Sequence, residues 1–460
     1  MTLQSPQAAT FPLLAGHASL DEPLAWRGGQ PLSRARFVQE AQELAGLLPQ
    51  GGPVLAMTSD RYHFALALGA AILRGQSGLM PPNHTPDMVR RLRTLFPQAY
   101  VLGDAGQPAL ELPTVPFPGL ASTGSADAAV PGIPGAHEVA QVLTSGSTGQ
   151  PMPHGKRWDL LAVNIRAEAQ RIAESLGRPD LRGVTVVGTV PAHHMYGFES
   201  TVLVGMLGGA AFATERPFYA QDIVRTLQSV PRPRVLITTP LPLKRLLDAG
   251  IALPPVDMVV SATAPLAPQL AARAEARLDA PLMEIYGCTE AGQVATRRTT
   301  EGPEWRTFAG LELAGDGEQV RVSGGHVPEP TPLADVLEVL SPTRFRLLGR
   351  SNDLINVAGK RSSLAHLNHH LNSIEGVRDG AFWLPPDPGR GDVVRLAALV
   401  VAPEVSREAL LAALRDRVDA AFLPRRIVWL DSLPRDATGK LPAARLSELA
   451  TRLLGESGHG

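Results

Sequence analysis

Thr144-Ser145-Gly146-Ser147-Thr148-Gly149-Gln150-Pro151 is the stretch on which the reading of this chain turns. Every residue from Thr144 to Gly149 is Thr, Ser or Gly. Val139 to Leu143, just before, reads as a short buried strand, and Leu160 to Leu176, just after, carries apolar residues at helical spacing. The expectation is a strand, a flexible polar loop, then a helix. Glycine lets a backbone approach a ligand closely and turn successive N–H groups towards it. Hydroxyls add donors without charge, and such a loop suits phosphate oxygens. It is not a Walker loop. Counting back from Gly155-Lys156, that pattern needs a glycine where Gln150 stands, and Ser or Thr where Arg157 stands. Alone, the loop reads equally as an ordinary Ser/Gly connection.

The 460 residues suggest more than one domain. Lys and Arg number 43 against 44 Asp and Glu, which gives no reason to expect a nucleic-acid surface. The single cysteine, Cys288, excludes an intrachain disulfide and a cysteine-based zinc cluster. Met1 to Leu20 lacks the basic and apolar regions of a signal peptide, and no stretch approaches about 18 uninterrupted apolar residues. The expectation is a cytoplasmic protein with no membrane span.

Strand and helix patterns alternate along most of the chain. After an irregular lead-in over residues 1–30, Ser33 caps a helix to about Leu48, Val54–Met57 is a strand, and Asp60 caps an apolar helix to Leu73. Residues 103–136 read as loop with short strands, and the alternation returns from 139. Residues 303–345 look β-rich, and from Gly349-Arg350 the character changes to a small α+β unit. The pattern implies an α/β fold with a large first part, 1–349, and a small second part, 350–460.

Three further stretches share the character of the first. Pro191-Ala192-His193-His194-Met195-Tyr196-Gly197, Ser261-Ala262-Thr263-Ala264-Pro265-Leu266 and Tyr286-Gly287-Cys288-Thr289-Glu290 each follow a predicted strand. Ligands in open α/β sheets sit at the carboxyl ends of strands, so four such loops could form one site. Thr289 could donate to a phosphate and Glu290 could hold magnesium.

In this order the motifs resemble the adenylate-forming superfamily: acyl- and aryl-CoA ligases, non-ribosomal adenylation domains and luciferases. Asp335, Gly349-Arg350-Ser351-Asn352-Asp353, and Leu433-Pro434-Arg435-Asp436-Ala437-Thr438-Gly439-Lys440 extend the resemblance to about residues 30–450. It implies a large N-terminal adenylate-forming domain with several sheets and flanking helices, and a small mobile C-terminal domain. It also implies a reaction in which a carboxylate attacks the α-phosphorus of ATP, pyrophosphate leaves, and a phosphopantetheine thiol of CoA or an acyl carrier protein takes the acyl group.

By the same resemblance, Thr144, Ser145, Gly146, Ser147, Thr148 and Gly149 cradle the β- and γ-phosphates. Thr289 bonds the α-phosphate, and Glu290 binds Mg²⁺. Tyr286 lies along the adenine, while Asp335 and Arg350 hold the ribose. His194 lines the acid pocket, Lys440 bridges carboxylate and α-phosphate, and Asn352 is the hinge about which the small domain reorients.

The sequence departs from the family at several points. Met152 stands where the phosphate loop usually ends in lysine, so Lys156 either reaches back or leaves pyrophosphate less firmly held. Asn352 is neutral where Asp or Lys is usual, and His366 stands near a position where glutamate is common. The short length, Pro151-Met152-Pro153 and Lys156-Arg157-Trp158 resemble the ligases of aryl polyene pigment clusters, which implies a hydroxybenzoate-like acid. The chain ends soon after the lysine motif, so a carrier protein is expected to act as a separate partner. His366, His369 and His370 share a helical face, but no acidic residue completes a zinc pattern. The competing reading, from Met152 and Asn352, is a catalytically impaired nucleotide-binding scaffold of the same fold.

Overall fold

The computed structural model describes residues 9–104, 106, 110–120, 129–145, 151–350, 354–357, 360–385, 396–436 and 441–455. Two sheets dominate. The larger has eleven strands, with parallel members Pro23–Arg27, Ala211–Ala213, Thr185–Gly188, Arg234–Thr238, Met258–Ser261 and Leu282–Cys288 side by side in that order. On one flank antiparallel strands Gly292–Arg297, Glu304–Thr307, Arg344–Arg350 and Asp335–Ser341 extend it. The other sheet has six strands, ordered Pro151–Arg157, Glu138–Ser145, Gly78–Met80, Val54–Met57, Tyr100–Gly103 and Thr114–Pro116.

The helix Arg61–Leu73 is apolar nearly all round and buried along most of its length, as a helix enclosed on all sides must be. Asp60 caps it, accepting from the backbone N–H groups of Tyr62 at 2.8 Å and His63 at 3.0 Å. The helix Trp158–Ser175 is the second long element of the same core. Side chains of both sheets and both helices form one apolar cluster, with Trp158, Phe198, Phe212 and Phe345 at 0% exposure.

Two fully buried arginines tie segments of this core together. Arg34 donates to the carbonyls of Gly205, Gly209 and Ala210 at 2.8, 3.1 and 2.8 Å. Arg61 donates from Nη1 to Ala213 and Glu215 at 3.0 and 2.9 Å, and from Nη2 to Gly188 and Val190 at 3.1 and 2.9 Å. Burial lowers both guanidinium pKa values to about 10, so both stay charged at neutral pH.

The part of the chain from Ile355 onward has apolar clusters of its own, around Leu367, Phe382 and Leu399. Its strands Asp379–Trp383, Ala397–Val401 and Arg426–Trp429 form a separate three-stranded sheet. Lys244, from the helix Pro240–Asp248, donates to the Val377 carbonyl at 3.0 Å and to that of Arg378 across the gap between the parts. Arg435 holds Asp379 through two bonds of 2.8 and 2.7 Å, anchoring the segment that leads into the lysine motif.

Several expectations need correction. The lead-in contains strands at Thr10–Pro12, Pro23–Arg27 and Gln30–Ser33. The phosphate-loop candidate does not run straight into a helix. Pro151–Arg157 first returns as an antiparallel edge strand against Glu138–Ser145, an edge being where a sheet tolerates Pro151 and Pro153. Tyr286 and Cys288 lie on the strand itself, leaving Thr289 and Glu290 in the turn after it. In the last part of the chain a helix runs over Arg407–Arg415, and another at Ala443–Gly455 follows the lysine motif.

Candidate active site

Because the strands Thr185–Gly188, Arg234–Thr238, Met258–Ser261 and Leu282–Cys288 are parallel, their carboxyl ends share one edge of the large sheet. The segments Pro191–Gly197, Ser261–Leu266 and Thr289–Glu290 therefore meet there, as the sequence implied. Gly197 is required by its setting, since a Cβ would run into the Pro191 carbonyl. The His194 backbone accepts from the Phe198 N–H at 2.8 Å, which starts the helical run containing a π-turn over Phe198–Leu203. Such π-turns concentrate at functional sites. Thr263 holds φ at +75°, a left-handed conformation that a β-branched residue adopts only under constraint.

On the flank, three of the residues implied to bind nucleoside lie together. Asp335 and Arg350 are register partners on adjacent strands. Tyr286 donates its hydroxyl to Asp335 Oδ2 at 2.7 Å, while its ring packs on Trp305 and Phe345 with centroids 5.8 and 5.5 Å away.

Lys156 joins the two sheets. Its ammonium, carried by the edge strand of the smaller sheet, donates to the backbone carbonyl of Thr289 at the tip of the larger one. Burial pushes its pKa down, and the neighbouring acidic groups Glu199, Cys288 and Glu290 oppose that only in part. Met152 lies on the same strand, 54% exposed, with Arg91 Nη2 3.8 Å from its sulfur. Burial pushes the Cys288 thiol up to about 11, which suits an inert packed residue rather than a nucleophile.

Between the long helix, the Glu290 turn and the strand Val327–Pro332 lies a cavity of ≈ 140 Å³, lined among others by Lys156, Asn164, Met195, Glu199, Glu290 and His326. Glu199 accepts from Asn164 Nδ2 at 2.6 Å, and burial raises its pKa to about 8. Glu168, one turn along the helix from Asn164, is raised by burial to about 7; Ser200 and Gln293 lie beside it, yet neither meets its oxygens in hydrogen-bonding geometry. Asn164, Glu168, Glu199 and His326 were missed in the sequence. The visible signal was a glutamate inside the apolar run Phe198-Glu199-Ser200-Thr201-Val202-Leu203, and polar residues four apart on the buried face of a helix.

Glu290, exposed at the cavity rim, is the carboxylate available to a Mg²⁺ ion. The described residues contain no group of three or more metal-binding side chains. Gly146, Ser147, Thr148, Gly149, Asn352 and Lys440 lie outside the described residues, as do the side chains of Thr144, Ser145, Arg350, His366 and His369. No helix of the described residues is long and apolar enough to cross a membrane.

A family model described as AMP-binding enzyme matches residues 60–328, more than half of the chain. The 4-coumarate–CoA ligase of Rhodobacter capsulatus is 33% identical over 309 residues, covering 66% of this chain and 75% of that protein. Among solved structures, ATP-bound MatB from Rhodopseudomonas palustris has a TM-score of 0.76 at 18% identity, covering 95% of this chain and 97% of the other. An anthranilate CoA ligase, AuaEII, in complex with anthranoyl-AMP has a TM-score of 0.77 at 16% identity, covering 97% and 99%.

Proposed function

Because the chain belongs to the AMP-binding enzyme family of adenylate-forming acyl- and aryl-CoA ligases, we propose that it activates a hydroxybenzoate-like aromatic acid and passes it to CoA or to an acyl carrier protein. The reaction class is that of the family: ATP-dependent activation of an acid as its adenylate, then thioester formation. The observation that carries the aromatic reading is the cavity beside Glu290, whose ≈ 140 Å³ is of the size that takes one benzene ring. The name of a relative supports it too, since 4-coumarate is an aromatic acid.

In this reading the carboxylate of the acid attacks the α-phosphorus and pyrophosphate leaves in line. The protein supplies placement and charge compensation rather than covalent chemistry. Tyr286, Asp335 and Arg350 hold the nucleoside, Tyr286 fixing the Asp335 carboxylate through its 2.7 Å bond. Thr144 to Gly149 take the β- and γ-phosphates. Glu290 would hold Mg²⁺, which offsets phosphate charge when bound. Thr289 donates its hydroxyl to the α-phosphate, and its carbonyl keeps the Lys156 ammonium at the same place. Lys440 bridges carboxylate and α-phosphate, and His194 borders the acid. In the second half-reaction a thiol attacks the acyl carbon and AMP leaves. Residues 350–460 form a small domain that turns about Asn352 between the steps, a reading supported by the separate cores beyond Ile355.

The experiment is pyrophosphate release with ATP, Mg²⁺ and a panel of hydroxybenzoic, cinnamic and fatty acids, each with no acceptor, CoA or a holo carrier protein. One aromatic acid, stimulated by one thiol, is the expected result. Lys440→Ala is expected to abolish release, by about 10²-fold or more as for loss of an electrostatic transition-state contact, while ATP binding persists. ATP binding without release on any acid would establish the scaffold reading instead.

A further inference from the structure

The cavity is polar at the place where three side chains meet. A Cβ on Gly292 would stand 3.4 Å from Glu199 Oε1, 3.5 Å from Asn164 Nδ2 and 3.5 Å from His326 Nε2. Gly292 has φ +73°, so glycine is needed there, and its missing side chain leaves that meeting point open. All three side chains are more than nine-tenths buried, at 3%, 2% and 7% exposure for Glu199, Asn164 and His326. Asn164 spends its amide N–H on Glu199, which leaves Oδ1 as its free acceptor. That Oδ1 and His326 Nε2 have no hydrogen-bond partner among the described residues. A second layer repeats the pattern, since both Glu168 oxygens and Gln293 Oε1 are buried and unpartnered.

Buried acceptors without donors are rare because their hydration is lost and nothing replaces it. The Lys156 ammonium does not serve them, being turned to the Thr289 carbonyl. Burial, with Lys156 nearby, holds His326 down to about 4, so its ring is neutral at neutral pH. A metal cation would meet the Lys156 charge, and the described residues give it no cluster of three ligating side chains. An anionic group would lose its hydration there, with the Lys156 ammonium already turned to the Thr289 carbonyl. A neutral donor fits.

We propose that Glu199, Asn164 and His326 recognise a neutral hydrogen-bond donor, a phenolic hydroxyl or an aryl amine, carried on the acid at the end remote from its carboxylate. The inference rests on the ligase reading above and deepens it, by naming the side chains that distinguish a substituted aryl acid from a plain one. An unsubstituted ring or an alkyl chain would bury the acceptors with nothing to meet them.

The test measures adenylate formation, as ATP- and Mg²⁺-dependent pyrophosphate release with hydroxylamine as acyl trap. It uses two matched pairs: 4-hydroxybenzoic against benzoic acid, and 4-coumaric against cinnamic acid. The readout is the ratio of kcat/KM within a pair, for wild type, Glu199→Leu, Glu199→Gln and His326→Leu. Sites built to bond a substrate hydroxyl reject the analogue lacking it strongly, so wild type is expected to favour the hydroxylated member of one pair by about 10²-fold or more. Glu199→Leu should bring that ratio down by at least about tenfold, and Glu199→Gln should retain most of it. If Glu199→Leu fails to fold by its melting curve, His326→Leu carries the test with the same expectation. Equal use of both members of each pair by wild type overturns the inference while leaving the ligase intact. So does an unchanged ratio in the folded leucine variants. Activity on fatty acids and on neither aryl pair removes the aromatic reading itself, and the inference with it.

Discussion

Replacing Arg61 by lysine tests whether the edge of the large sheet is held as the structure indicates. The guanidinium works as two hands. Nη1 grips the end of the Ala211–Ala213 strand, through Ala213 and Glu215, and Nη2 grips the end of Thr185–Gly188, through Gly188 and Val190. A lysine ammonium has no fork and can serve one pair of carbonyls. Two charge-assisted bonds are lost, each worth about 1.5–3 kcal/mol, so the variant should be destabilised by roughly 3–6 kcal/mol. With an unfolding entropy of about 2.1 cal/mol/K per residue, a folding unit of roughly 350 residues should melt about 4–8 °C lower. Val190 directly precedes the loop that carries His194, so the loosened carbonyl should also raise KM for the acid, by about tenfold for a displacement well under 1 Å. KM for ATP should hardly move. Calorimetry at several scan rates and steady-state kinetics read the two effects. An Arg61→Lys protein that melts within about 1 °C of wild type and keeps its KM for the acid would refute the reasoning.

Two further outcomes are expected. Tyr286→Phe removes the 2.7 Å bond that orients Asp335 and leaves the buried ring in place; a bond to a carboxylate is worth about 1.5–3 kcal/mol, so KM for ATP should rise roughly tenfold or more with KM for the acid unchanged. Glu168 has its pKa raised by burial from 4.5 to about 7, so between those values the folded protein keeps a proton that the unfolded chain has lost. Its contribution is full at low pH and falls as pH rises through that window. Glu168→Gln should therefore gain stability relative to wild type between pH 5 and pH 8, by about 3 kcal/mol at most at 1.36 kcal/mol per unit. Parallel melting curves of the two proteins across that range would contradict it.

The sequence revealed the site's frame more readily than its floor. Runs such as Val54–Met57 and Val235–Thr238 announce strands by composition, and Ser33 and Asp60 announce helix starts by their capping chemistry; the structure has all of these. Strand ends also predict which loops meet, because parallel strands share an edge. The return strand Pro151–Arg157 was hidden by its prolines, which local propensity assigns to a loop and which only an edge position tolerates. The polar floor was hidden for another reason. Asn164, Glu199 and His326 lie on three segments far apart in sequence, and each alone looks like an ordinary polar residue. Only the packing of the long helix against the π-turn and the strand Val327–Pro332 brings them to one point.

The return strand also bears on the direction in which the reaction runs. Met152 and Lys156 are four residues apart on it, hence about 13 Å along the sheet edge. A cation moved that far no longer stands opposite Thr144, the register partner of Met152; it stands at the Thr289 turn, where the Lys156 ammonium is held. On the proposed assignment the fixed charge favours the half of the nucleotide that stays, not the half that departs. Pyrophosphate then leaves a site without this lysine charge, while AMP leaves one that keeps it. The enzyme should be slow to run backwards from adenylate to ATP, and the product that restrains it should be AMP.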